Sequence, residues 1–278
     1  MSINLENITN LEPHELGVAE RIALGRLGGH PAQGAIVPFP DGVSGEKILA
    51  AISGKERQKV DRFIAAGFSP TIYEYKSAEG EVIQAVLRFD HASEPKEIRP
   101  LRYYGKGRNG FSLFGMEAID GQRPLYGLHH LATRTDAPVL AVEGEKAAEA
   151  AAELFPDHVI VTWMSGASSV PRTDLSPLAG REVAIWPDND ISGRKAGRKF
   201  AALALNAGAA SVSFVDVPRE FGDKWDLADK VPAECRDAYP LRHLLDTARV
   251  LTPAELESLT SERRHKAEQN RLLGHAVG

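Results

Sequence analysis

The sequence has one cysteine, Cys235, in 278 residues. A single thiol cannot close an intramolecular disulfide, and it cannot supply the Cys set of a zinc cluster from this chain alone. Long hydrophobic runs are missing too. No uninterrupted apolar stretch approaches the roughly 18 residues that a membrane span requires. The opening residues, MSINLENITNLEPHE, lack the basic segment and apolar core of a secretory signal. These absences lead us to expect a cytoplasmic protein with no membrane partner. The 25 glycines and 17 prolines are too few for a low-complexity or fibrous chain. Nor is there an excess of positive charge, since 33 Lys and Arg stand against 38 Asp and Glu, a net −5. Proteins that coat nucleic acid non-specifically are usually basic, but a metal-dependent nucleic-acid enzyme needs clustered carboxylates. The placement of charge therefore matters more than its sum.

What remains is an ordinary globular composition, 43% hydrophobic and 26% charged, long enough for one large or two modest domains. Residues 1–66 read as mostly helical, with apolar residues at helical spacing over 16–27 and 48–66, suited to packing or docking a partner. Residues 67–135 change character. TIYEYKSAEGEVIQAVLRFD, at 71–90, alternates apolar and polar residues around a glycine-containing turn, which predicts a β-hairpin. The stretch 98–116 then carries Arg99, Arg102, Lys106 and Arg108 with no acid, interleaved with Tyr103, Tyr104, Phe111 and Phe114. Cations bind phosphates and rings stack on bases, so this stretch is a candidate nucleic-acid interface. The alternative is a solvated loop whose aromatics belong to the core.

Residues 136–232 alternate short apolar strands (138–143, 158–163, 182–187 and 210–217) with helices over 146–154 and 192–207. This rhythm predicts an α/β domain with a parallel sheet flanked by helices. Residues 233–278 read as a charged, helix-compatible tail.

Ligands of open parallel sheets sit beyond the carboxyl ends of the strands. Two strand ends here finish in acids: Glu143 within VEGEK, and Asp188 and Asp190 within WPDNDISGR. Strand periodicity would aim Asp188 and Asp190 into one space. Three acids at one sheet edge are tolerable if hard cations such as Mg²⁺ neutralise them, a site suited to phosphoryl transfer. Each acid also has a structural reading. Glu143 and Glu145 favour the positive end of the following helix, and Asp190 can cap the helix that begins near Ser192. Adjacent His129 and His130 would face different ways on a helix. With His158, Ser168 and Ser169 they read as structural.

Taken together, VLAVEGEKAAEAAAEL and AIWPDNDISGRKAGRKFA, with Asp188 45 residues after Glu143, resemble a Toprim domain, shared by bacterial-type primases, topoisomerases and some nucleases. The primase branch fits best. Gly193 and Ala196 match its D-x-D-x-x-G-x-x-A pattern, RPLYGLHHL at 123–131 is similar to the segment leading into its Toprim domain, and SGASSV at 165–170 is similar to the loop after its second strand. The hairpin and basic stretch resemble its preceding basic subdomain, here a small α+β primase-like unit over 67–135. The match is to Toprim proteins of phages, plasmids and prophages that accompany a replicative helicase.

The resemblance implies catalytic and metal-binding roles for Glu143, Asp188 and Asp190, with Mg²⁺ or Mn²⁺ as cofactor. It implies a further metal-binding acid at Asp226, with Asp229 second. Arg88, Arg99, Arg102, Lys106 and Arg108 would guide single-stranded DNA, and Arg194 and Lys195 would meet nucleoside triphosphate phosphates. Two departures stand out: with one cysteine there is no zinc module, and no large helicase-binding domain follows the Toprim region. The expected activity is primer synthesis on single-stranded DNA in mobile-element replication. The alternatives are a Toprim metal-dependent nuclease and a non-catalytic DNA-binding or helicase-accessory module.

Overall fold

The computed structural model describes residues 36–106, 112–252 and 255. The helix expected over 16–27, Arg108, Phe111 and the tail beyond 252, Glu255 apart, lie outside the described residues. The chain divides into two units, Met1–Arg123 and Pro124–Gly278.

In the first unit, the helical pattern of residues 48–66 is broken into α1 (Lys47–Ala51) and α2 (Gly54–Ala65) at the extended Ser53. Strands β1 (Ser69–Lys76), β2 (Val82–Asp90), β3 (Glu97–Lys106) and β4 (Ser112–Gly115) follow as an antiparallel meander in that order. The hairpin expected over 71–90 is β1–β2, closed by Ser77 N–H on Glu81 O at 2.8 Å. One face of β2 and β3 presents Ala85, Leu87, Phe89, Leu101 and Tyr103 to a core that also takes Ile48, Val60 and Phe63. Phe63 of α2 stacks on Phe89, ring centroids 4.6 Å apart.

In the second unit, β5 (Val139–Val142), β6 (Val159–Val161), β7 (Glu182–Trp186), β8 (Ser211–Phe214) and β9 (Arg249–Val250) pair in the order β6-β5-β7-β8-β9. All neighbours are parallel except β8 and β9. Strand alternation sorts the side chains into two cores. Val139, Ala141, Val159, Val161, Val183 and Ile185 point to the face covered by α5 (Ile191–Asn206), which contributes Phe200, Ala201 and Ala204. Leu140, Val142, Ile160 and Trp186 point to the other face, against Ala147, Ala148 and Ala151 of α4 (Glu145–Leu154). Alanine is the strongest helix former, and its small side chain lets α4 lie close on the sheet. Helices on both faces make this a doubly wound arrangement, a mixed α/β chain overall.

Two boundaries differ from the sequence reading. Residues 124–135, expected to close the preceding subdomain, pack into the parallel-sheet unit. Leu125 and Leu131 are buried in its core, and Tyr126 N–H donates to Thr162 O at 2.9 Å. These residues include helix α3 (Leu128–Thr133). Residues 233–252, expected as part of a charged tail, also belong to the unit. Cys235, Leu245 and Leu251 are buried, α6 (Leu241–Asp246) docks through Leu245, and β9 extends the sheet. Their apolar positions are too sparsely spaced to stand out among the charges. Among the described residues, no helix is long and apolar enough to cross a membrane.

Candidate functional site

β5 has β6 on one flank and β7 on the other, so the chain reverses its winding direction between them and the crevice of this sheet opens at the carboxyl ends of β5 and β7. Those two ends are in register, Val142 opposite Trp186. Glu143 follows β5 directly, and Asp188 stands two residues beyond β7. The topology thus brings these two sequence-predicted acids to neighbouring strand ends, and both are half-buried.

The turn after Glu143 is built from main-chain geometry. Gly144 has φ 85° and ψ 150°, a conformation that a side chain disfavours, and its N–H donates to Thr162 Oγ1 at 2.9 Å. Thr162 is fully buried just past β6. The end of β6 therefore fixes the turn that carries Glu143 into α4.

The Asp188–Asp190 segment is not an extended strand. β7 ends at Trp186, and Asp190 N–H donates to Asp188 O at 2.8 Å, the two-residue span of a γ-turn. Alternation therefore does not carry from Asp188 to Asp190. Asp190 is the N-cap of α5, and its Oδ1 accepts from Gly193 N–H at 2.6 Å. The cap commits one of its oxygens to the helix. Gly193 packs directly on Asp188: a Cβ there would lie 2.6 Å from Asp188 O and 2.7 Å from Asp188 Cβ.

Asp226 reaches the same edge through the backbone. Asn189 N–H donates to Trp225 O at 2.9 Å, and Lys224 N–H to Asn189 O at 3.3 Å, so the loop ending at Asp226 is laced to the Asp188–Asp190 turn. Asp226 Oδ1 accepts from Ala228 N–H at 2.7 Å, and Asp229 Oδ2 from Asp226 N–H at 3.2 Å. Both carboxylates thus shape a local turn.

Among the described residues, no group of three or more His, Cys, Asp or Glu gathers closely enough to hold a metal ion. The three-acid convergence expected for Glu143, Asp188 and Asp190 is not formed, because Asp190 turns its carboxylate into the helix end. The donors still suit Mg²⁺ or Mn²⁺, hard cations that bind through one or two carboxylates and complete their shell with water and substrate phosphate.

The basic residues fall into two groups. Arg88 forms a two-pronged pair with Asp90 at 2.8–3.0 Å. Arg99 pairs with Glu97 at 2.6 Å and lies over the Phe63 ring. Arg102 is 3% exposed and pairs with Asp120 at 3.2 Å. The stretch 98–116 has no acid of its own, but Arg99 meets Glu97, two residues before it on β3, and folding brings Asp120 to Arg102. Tyr103 is buried against Phe39 and Phe114, in core rather than on a stacking surface. Lys106 is exposed at the end of β3. In the second unit, Lys195 is exposed, and Arg194 is half-buried with its Nη1 donating to Asn189 Oδ1 at 3.0 Å. The His129 and His130 rings, expected to face apart, have centroids 3.8 Å apart.

Asn189 and Thr162 were not singled out by the sequence. Both act through buried hydrogen bonds to residues 18 to 33 positions away, and no local pattern records such partners.

A family model described as a domain of unknown function, DUF6371, matches residues 71–189. That span includes Glu143 and Asp188 and stops short of Asp190 and Asp226. No curated protein matches the chain. Solved structures similar to it include a DNA primase domain from Pseudomonas aeruginosa, 17% identical with a TM-score of 0.42 over 74% of this chain and 64% of that one. A DnaG primase catalytic domain bound to single-stranded DNA is 17% identical, with a TM-score of 0.40 over 93% and 73%. The E. coli primase catalytic core is 16% identical, with a TM-score of 0.43 over 94% and 79%. The chain spans a little under two thirds of the Pseudomonas domain.

Proposed function

We propose that this chain is a primase-type Toprim protein, a Mg²⁺- or Mn²⁺-dependent nucleotidyltransferase that makes primers on single-stranded DNA in mobile-element replication, beside a replicative helicase. The observation that carries this reading is the placement of Glu143 and Asp188 at the paired carboxyl ends of β5 and β7. It is there that a parallel sheet binds its ligands.

In this reading Glu143 and Asp188 would hold the cation, with water and substrate phosphate completing its shell, and Asp190 and Asp226 would add negative charge at the same edge. When bound, the cation neutralises the triphosphate and lowers the cost of deprotonating the primer 3′-hydroxyl. Glu143, beside a buried turn, is the group placed to take that proton. Lys195 and the N–H groups of Arg194 not used on Asn189 bind nucleotide phosphates. Lys106 and Arg108 contribute to holding the template, with Arg88, Arg99 and Arg102 after exchange of their acid partners.

The test is Asp188→Asn in the full chain, incubated with labelled nucleotides, single-stranded DNA and Mg²⁺ or Mn²⁺, with products resolved by length. New oligomers made by the unaltered chain and lost in a folded variant support the reading. Shortened template in place of new oligomers moves the assignment to a nuclease. DNA binding without product, unaffected by chelation and by Asp188→Asn, assigns an accessory module. Full activity in the variant overturns the proposed site.

A further inference from the structure

We infer that Asn189 is a positioning residue that docks the 217–226 loop onto the Asp188–Asp190 turn and so sets where Asp226 stands relative to Asp188. Asn189 lies between two acids in sequence, yet it is only 4% exposed. Its Nδ2 donates to Pro218 O at 3.0 Å and to Gly222 O at 2.8 Å, while its Oδ1 accepts from Arg194 Nη1 at 3.0 Å. Its main chain adds the bonds to Trp225 O and Lys224 N–H described above. One residue thus fastens the loop at Pro218, Gly222, Lys224 and Trp225, and Asp226 is the next residue along.

The chemistry at position 189 is specific to an amide. Two carbonyls must be met by two donors, and a guanidinium by an acceptor, on one short side chain. Aspartate has the same shape but would set an oxygen against two carbonyl oxygens. Arg194 fixes which end of the amide faces which partner.

The loop needs this fastening. Lys224 has φ +62°, a left-handed conformation that non-glycine residues rarely adopt and that persists only when its surroundings enforce it. On its far side the loop is pinned by Phe221 and Trp225, buried in the core with ring centroids 4.6 Å apart. Those rings fix the loop against the sheet, and Asn189 fixes it at the acidic turn. Groups that orient ligand-bearing elements typically change metal affinity by about 10- to 100-fold when removed.

The inference rests on the metal-site reading above, and two readouts on the full chain separate their failures. The first is hydrogen exchange at residues 218–228, which needs no metal. Asn189→Ala and Asn189→Asp should each accelerate exchange in that segment about tenfold or more, leaving the β5 and β7 amides protected. The second is Mn²⁺ affinity by calorimetry, expected to fall roughly tenfold in both variants. Val183→Ala, a core change within β7 on its α5 face, serves as the control for lost stability and should leave Mn²⁺ affinity unchanged. If Asn189→Ala does not fold, Arg194→Ala, read without nucleotide, removes the group that orients the amide and should shift both readouts in the same direction by less. Unchanged loop exchange overturns the docking role. Released loop with unchanged Mn²⁺ affinity overturns the positioning role while leaving the metal site standing. Absence of Mn²⁺ binding in the unaltered chain overturns the metal reading and this inference with it.

Discussion

Replacing Gly193 with alanine sets two effects against each other. In an exposed helix interior, Gly→Ala stabilises by roughly 1 kcal/mol through helix propensity. Gly193 sits in the first turn of α5, buried against Asp188, where a Cβ would lie 2.6 Å from Asp188 O, 2.7 Å from its Cβ and 2.9 Å from its N. Real Cβ contacts to such atoms are close to 3.4 Å or longer, so α5 and the Asp188 turn must separate by several tenths of an ångström. None of the three atoms is the far end of a flexible side chain, so no rotamer change relieves the clash. Overpacking of this kind costs about 1–3 kcal/mol, outweighing the propensity gain. The same shift moves Asp188 and weakens the Asp190 cap, and misplacement approaching 1 Å at a reacting centre can cost on the order of 10²-fold in rate. Gly193→Ala should therefore lower the denaturant midpoint and depress metal-dependent activity well beyond its effect on stability. Gly197→Ala provides the comparison: its Cβ would meet the Phe214 ring at 2.9 Å and Ile185 Cγ2 at 3.2 Å, side chains rather than the backbone of the acidic turn. A Gly193→Ala chain as stable and active as the parent would refute the packing argument.

Other expectations follow from the same geometry. Thr162→Val removes the acceptor for Gly144 N–H at a fully buried position, and should cost about 1–3 kcal/mol in chemical denaturation; it should also reduce activity, because the Glu143 turn loses its anchor. The Arg242 guanidinium, bonded to both Asp157 oxygens at 2.8 Å, holds that carboxyl well below the usual range. A depressed folded-state value stabilises at pH above the ordinary carboxylate range and is lost as pH falls through and below it. Arg242→Ala should therefore lower Tm at neutral pH by a small, salt-sensitive amount, as befits an exposed pair, with the gap to the parent closing in acid.

The parallel-sheet unit was largely legible in the sequence. β5 and β6 are short, fully buried and continuously apolar, β7 is nearly so after Glu182, and α4 and α5 carry strong helix formers, so local pattern and tertiary environment agree. The positions of Glu143 and Asp188 were legible for a related reason: they follow the ends of neighbouring strands, Glu143 directly and Asp188 by two residues, and that placement depends on topology rather than on side-chain detail. Asp190 shows where periodicity gives out. Its spacing from Asp188 implies a shared direction only while the strand continues, and β7 stops at Trp186. The basic stretch shows a different limit. Asp90 and Glu97 flank Arg88 and Arg99 at the two-residue spacing that puts side chains on one face of a strand, whereas Asp120 comes to Arg102 from 18 positions away through folding. The lacing of Asn189 to residues 218–225 depends on a loop some 30 positions away, which no local signal encodes.

Paramagnetic broadening of amide signals by Mn²⁺ in the isotope-labelled full chain tests the central claim most directly, since it reports where the cation sits. The account predicts broadening centred on residues 143–145 and 188–193, extending to 226, and abolished by Asp188→Asn. Broadening confined to surface acids such as Asp157 and Asp246, or a pattern that Asp188→Asn leaves intact, would contradict it.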